Sequence, residues 1–292
     1  MNEVTQRAYL KLTAHFYENK LRDKIPTLSR ITKALTESAP EYRPAYWRKL
    51  RNAISFEQKQ QGFIGSAKAI NEIENPLTKV GKKVKAKQKR VKSTNPEDLK
   101  KLSIAINAKK DNELKAALSI VHRLGCRPSE LLSIQCLPDN QVYIRGSKKT
   151  EKLMRGADRF ISVNEVDFTI IKSQIDILKQ SEEVKTGVIK RCQSRLDRLT
   201  KKIWPRRNHR INFYTFRHQT GATLKASELN RIEIAYVMGH QSTESVEVYG
   251  NRKTGGKNRL KAGNNADLTK VRENHTQINK SNVKQSVLAP KL

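Results

Sequence analysis

Apolar side chains recur every three or four residues over most of the chain, the period of helices with one buried face. Within the first 75 residues this predicts three helices: NEVTQRAYLKLTAHFYENK, PTLSRITKALTES after its opening proline, and YRPAYWRKLRNAISFEQKQQG. In the third, Tyr42, Tyr46, Trp47 and Leu50 make an amphipathic face, leaving Arg43, Arg48, Lys49 and Arg51 for solvent or a phosphate backbone. A second series starts at Asn95-Pro96, where NPEDLKKLSIAINA pairs helix-start chemistry with Leu99, Leu102 and Ile106. DNELKAALSIVHRL follows, is stopped by Gly125, and is succeeded by PSELLSI, whose proline suits a helix's first turn. Only QVYIR (141–145) and DRFISV (158–163) suggest β structure, joined by the basic GSKKTEKLMRGA. Helical patterns resume from Asp167 to Leu178, from about Ser194 to Trp204, and from Asn212 through Tyr249. The expected fold class is mainly α with a small β-sheet or hairpin in the second domain.

Between the two series the pattern fails. Residues 76 to 94 hold almost no apolar side chains and eight Lys or Arg from Lys79 to Lys92, so they cannot form a core of their own. The domain reading is therefore a helical domain over 1–75, a basic linker over 76–96, a second domain over 97–251 and a polar Gly/Asn-rich tail over 252–292.

Charge changes the picture from globular to polyanion-binding. Lys and Arg number 59 against 28 Asp and Glu, a formal net charge of +31. Self-repulsion of that size favours a polyanionic partner, most simply double-stranded DNA. A cationic linker laid along DNA adds affinity through counterion release without reading sequence. No apolar run approaches the roughly 20 residues of a membrane span, and MNEVTQRAYLKL does not read as a secretory signal. Cys126, Cys136 and Cys192 lack CxxC spacing, which argues against a disulfide framework or a zinc knuckle. The expectation is a reduced, cytoplasmic, nucleoid-associated protein without a membrane partner.

The chemistry-bearing residues are weak one at a time. Arg127 and Glu130 in LGCRPSELLSI could form a local ion pair. Tyr214 and Arg217 in NFYTFRHQTGATL share a helix face. His240 follows Gly239 at a helix end, and Tyr249 closes MGHQSTESVEVYG. As a set they resemble the catalytic domain of the tyrosine recombinase (phage integrase) family over about residues 97 to 250. LGCRPSELLSI is similar to its first arginine box, YTFRHQTGATL to its second, and MGHQSTESVEVYG to its closing Gly-His motif and nucleophilic tyrosine. The spacings agree, 23 residues from Arg217 to His240 and nine from His240 to Tyr249.

The resemblance implies a site-specific DNA recombinase of a mobile genetic element, with the 1–75 domain as its core-binding domain. It implies Tyr249 as nucleophile, giving a 3′-phosphotyrosyl link, with Arg127 and Arg217 clamping the phosphate and His240 donating a hydrogen bond to it. A hairpin lysine would protonate the leaving 5′-oxygen, Lys149 preferred over Lys148. No cofactor, nucleotide or metal is implied. The partners implied are double-stranded DNA and a homotetramer on two DNA sites, with room for an accessory DNA-bending or directionality factor. Tyr214 departs from the family pattern, which has His there. A phenol, with an ordinary pKa of about 10, cannot replace a neutral imidazole base, so its expected role is positioning phosphate. The alternatives are a non-catalytic DNA-binding or architectural protein, a degenerate recombinase and, less favoured, an activity like that of type IB topoisomerases.

Overall fold

The computed structural model describes residues 1, 3–22, 24–86, 91–147 and 156–273. The chain divides after residue 89 into two compact units.

The first unit is helical: α1 Glu3–Lys20, α2 Leu28–Glu37, α3 Pro44–Gln60, α4 Ile64–Glu72 and the single turn α5 Pro76–Lys79. Its core joins Phe16, Ile31, Leu35, Trp47, Leu50, Ile54 and Ile70. Trp47 satisfies its buried indole N–H on the Leu35 carbonyl at 2.8 Å, fixing α3 against the end of α2. Arg48 and Lys49 are exposed, whereas Arg51 turns inward and donates to the Ile73 carbonyl at 2.8 Å, so it is not free for phosphate as the pattern suggested. The sequence reading missed α4, a nine-residue helix that buries only Ala67 and Ile70. It also assigned Pro76–Lys79 to the linker, although Asn75 caps that turn and Leu77 packs on the core.

The second unit begins with α6 Pro96–Ala108 and α7 Asn112–Leu124, capped by Asn95 and Asp111. Helix α7 is apolar around most of its circumference and packs against α6 and against α8 Glu165–Val184, α9 Val188–Ile203 and α10 Phe213–Ala226, making it the central helix. A short helix, α11 Arg231–Val237, follows. An antiparallel sheet in the order β1 Ile134–Leu137, β2 Gln141–Ile144, β3 Arg159–Ser162 and β4 Lys261–Ala262 completes the unit. Among the described residues no helix is long and apolar enough to cross a membrane.

Three expectations are corrected. PSELLSI is a 3₁₀ turn over Pro128–Ser133 whose last isoleucine already begins β1. The helical pattern from Asn212 to Tyr249 is broken into α10, α11 and a 3₁₀ turn over Thr243–Val248. The tail expected from residue 252 packs on the second unit as far as residue 273. Leu260 and Val271 enter the core, β4 pairs with β3, and the Gly263 N–H donates to the Phe160 carbonyl at 2.9 Å. Those two apolar anchors and the free edge of β3 give the polar segment a place to satisfy its backbone.

Candidate active site

The site forms where four chain segments meet. Helix α7 terminates at Gly125 in a left-handed turn, φ 59°, which delivers Arg127 to the start of the 3₁₀ turn. There Glu130 reaches back: one carboxylate oxygen accepts the Arg127 backbone N–H at 2.9 Å and the other accepts Arg127 Nη1 at 2.6 Å. From the sheet, Arg159 donates through Nη2 to Glu130 at 2.9 Å. Helix α10 carries Arg217, which is wholly buried. Its Nη1 donates to the Gly125 carbonyl at 2.8 Å and its Nη2 to the Met238 carbonyl. After α11 a left-handed Gly239, φ 65°, turns the chain to present His240.

Arg217 Nη2 also meets His240 Nε2 at 3.0 Å. A guanidinium can only donate, so Nε2 is the acceptor and a neutral His240 carries its proton on Nδ1. Tyr249, half-buried, closes the arrangement. Its ring stands 4.9 Å from the Arg217 guanidinium carbon and 5.0 Å from each of the His240 and His218 rings. Gly221 of α10 leaves room for it, since a Cβ there would come within 2.9 Å of the Tyr249 Cβ.

The structure thus brings together Arg127, Arg217, His240 and Tyr249. Tyr214 lies one turn ahead of Arg217 on α10 and joins none of the hydrogen bonds or ring contacts described for this cluster. Lys149 and Lys148 fall outside the described residues. Two members were missed by sequence reasoning. His218 stands outside the motif positions, yet its ring packs on Tyr249 and its Nδ1 faces the Gly250 N–H at 3.4 Å. Arg159 opens a strand, where a charge ordinarily faces solvent, and carried no signal.

Two guanidinium groups bond one carboxylate and a third, that of Arg217, lies near them, leaving surplus positive charge in a buried place. Burial pushes the Glu130 carboxyl up, but the Arg159 and Arg127 charges outweigh this and hold it at about 2. Burial, with Arg127 and Arg159 beside it, lowers Arg217 to about 10, which still leaves it charged at neutral pH. Arg159 Nε and Nη1, Arg217 Nε and His240 Nδ1 are buried without a hydrogen-bond partner among the described residues. Unanswered buried donors cost about 1–3 kcal/mol each, and this set suits a compact anion with several acceptor oxygens. Among the described residues no group of three or more His, Cys, Asp or Glu could hold a metal ion.

Burial, then the charges of Arg217, Arg127 and Arg159, pulls the His240 imidazole down to about 2. Unfolded His takes up a proton below about pH 6.5 while folded His240 does not, so its contribution to stability is whole above 6.5 and is lost as pH falls. The slope is up to about 1.4 kcal/mol per pH unit. Urea unfolding between about pH 7 and pH 5 should therefore show stability falling with acid, and His240→Gln should flatten that fall. His122, also lowered by burial, adds to the slope in both proteins, so the difference between them is the readout. Equal slopes would mean that His240 protonates in the folded state.

No protein-family model matches the sequence, and no curated protein matches it significantly. Solved structures do. The chain is similar to a lambda integrase dimer bound to a core site, with TM-score 0.57 and 16% identity over 84% of this chain and 90% of that one. A lambda integrase tetramer bound to a Holliday junction gives TM-score 0.56 and 14% identity over 92% and 76%. The Tn1549 transposon integrase in complex with a circular intermediate DNA gives 0.56 and 13% over 99% and 95%. The helical chain with its small antiparallel sheet has the fold of these integrases.

Proposed function

We propose that the protein is a site-specific DNA recombinase, the integrase of a mobile genetic element, breaking and rejoining double-stranded DNA through a 3′-phosphotyrosyl intermediate. One observation carries the reading: a tyrosine ring rests on a buried cluster in which three arginines outnumber their one carboxylate.

Attack on a phosphodiester builds negative charge on the non-bridging oxygens of a pentacoordinate phosphorus. Arg127 and Arg217 donate to those oxygens through their planar guanidinium groups. The Tyr249 oxygen releases its phenolic proton to solvent and bonds to phosphorus, the phosphorus–O5′ bond breaks, and the 5′-oxygen leaves as a hydroxyl after taking a proton, from Lys149 or Lys148 in this proposal. His240 contributes its Nδ1–H to a phosphate oxygen, and Tyr214 helps to seat the phosphate. The phosphotyrosyl bond retains the energy of the broken ester, so a free 5′-hydroxyl from a second strand can reseal it. Residues 1–75 and the basic linker hold the duplex, and a homotetramer brings two sites together. The tetramer and junction described for lambda integrase support that assembly by analogy of fold.

The test is covalent trapping. Wild type and Tyr249→Phe are incubated with labelled DNA from the element's ends and quenched in SDS. A slow-migrating, protease-sensitive band for wild type alone is expected. Its absence from DNA that the protein binds would favour a non-catalytic DNA-binding protein.

A further inference from the structure

We infer that Arg159 is a positioning residue for the phosphate clamp, its guanidinium wedged between the Glu130 carboxylate and the Gly239 turn so that Arg127 and His240 are held as one unit. The inference rests on the recombinase reading and adds to it a residue that no motif marks.

Arg159 is fully buried and held in strand β3, which pairs with β2 on one side and with β4 on the other, Arg159 itself standing opposite Ile144. Its Nη2 donates to the same Glu130 oxygen that accepts the Arg127 backbone N–H. The other Glu130 oxygen takes the Arg127 guanidinium. Removing Arg159 therefore loosens the carboxylate on which Arg127 is oriented.

On its other side the guanidinium lies against Gly239. A Cβ there would come within 2.5 Å of Arg159 Nη1 and 3.0 Å of Cζ, so the turn is built to let backbone approach this group. The Gly239 carbonyl in turn accepts from Arg127 Nη2 at 3.3 Å, and His240 is the next residue. Arg159 thus touches both the support of Arg127 and the turn that presents His240. An ion pair that only held the fold together would be matched charge for charge. Here one carboxylate bonds two guanidinium groups with the Arg217 charge close by, and Arg159 Nε and Nη1 have no partner among the described residues.

The test compares wild type, Arg159→Met, Arg159→Lys, Glu130→Gln and the Arg159→Met/Glu130→Gln double variant. Gel shift reads DNA affinity, and SDS-stable complex against time reads the cleavage rate, at about pH 8 and about pH 5.5. Arg159→Met is expected to keep affinity within about twofold while slowing the covalent complex about 100-fold. Its loss should deepen at the lower pH. The charged or titratable groups around Glu130 are Arg127, Arg159, Arg217, Cys126 and His240, and without Arg159 the carboxyl takes a proton more readily. The double variant should be no slower than the worse single variant and should lose the pH effect, as expected for two groups acting through one contact. Arg159→Lys, which keeps a charge on Glu130 but not a plane against Gly239, should fall between, with a flat pH response.

Wild-type rates in Arg159→Met, or a loss equal at both pH values that multiplies with that of Glu130→Gln, would overturn the inference and leave the recombinase reading standing. Should Arg159→Met fail to fold, Arg159→Lys decides in the same way: a slowed rate at unchanged affinity supports the role, and a wild-type rate overturns it. A wild type that forms no covalent complex overturns both readings.

Discussion

Replacing Arg217 with Ala is expected to remove the covalent protein–DNA complex, with cleavage slowed at least ~1,000-fold, while affinity for DNA stays within a few-fold. In the proposed mechanism the loss follows from the removal of one of the two guanidinium groups that clamp the phosphate, which act only where charge develops. Affinity for the proposed DNA partner should be spared because the rest of the +31 net charge is unchanged. The fold will also weaken. Arg217 is wholly buried and bonds the Gly125 carbonyl, the Met238 carbonyl and His240, so three acceptors lose their donor at about 1–3 kcal/mol each. Arg217→Lys separates the two effects. Its ammonium keeps the charge and answers part of the carbonyl set, so the melting temperature should recover partly. A single ammonium cannot span Gly125, Met238 and the phosphate as a planar fork does, so cleavage should remain low. Melting temperature, gel shift and trapping rate on the three proteins check this, and an Arg217→Ala protein that cleaves at the wild-type rate would end the clamp assignment.

What could be read from the sequence divides along the range of the interactions. Helices α6 and α7 were legible because their signals are local: Asn95, Asp111 and Gly125 mark their ends and the apolar period fills them. The four clustered residues were legible because their spacing along the chain is itself a signature, although nothing in that spacing says which atoms meet. Strands β1 and β4 were not legible. Four residues with one buried side chain, and two residues with none, carry no period, and β4 exists only because β3 offers it an edge about a hundred positions earlier. Arg159 and Glu130 are 29 residues apart, and a strand arginine looks like surface until a buried carboxylate is found against it. His218 was not legible because helical register counts neighbours on one helix and misses a tyrosine ring arriving from another segment.

That arrival depends on Gly250, and Gly250→Ala is expected to lower trapping at least ~100-fold with DNA binding retained. Gly250 has φ 64°, and a Cβ there would lie 2.3 Å from the Ala222 nitrogen, 2.5 Å from the His218 carbonyl oxygen and 2.7 Å from the Ala222 Cα. All three atoms are α10 backbone, which cannot yield without carrying Arg217 along. Residue 250 must therefore lift from α10, drawing the Tyr249 ring away from Arg217, His218 and His240. The left-handed dihedral alone would cost only about 1 kcal/mol. Gly187→Ala isolates that part, because Gly187 has φ 84° with nothing within 4 Å of its Cβ position, and it should cleave normally with a slightly lower melting temperature. A Gly250→Ala protein that also cleaves normally would carry its own lesson: the tyrosine would then attack from a position free of α10, and the packing of Tyr249 against Arg217 would belong to a resting state that the reacting state leaves.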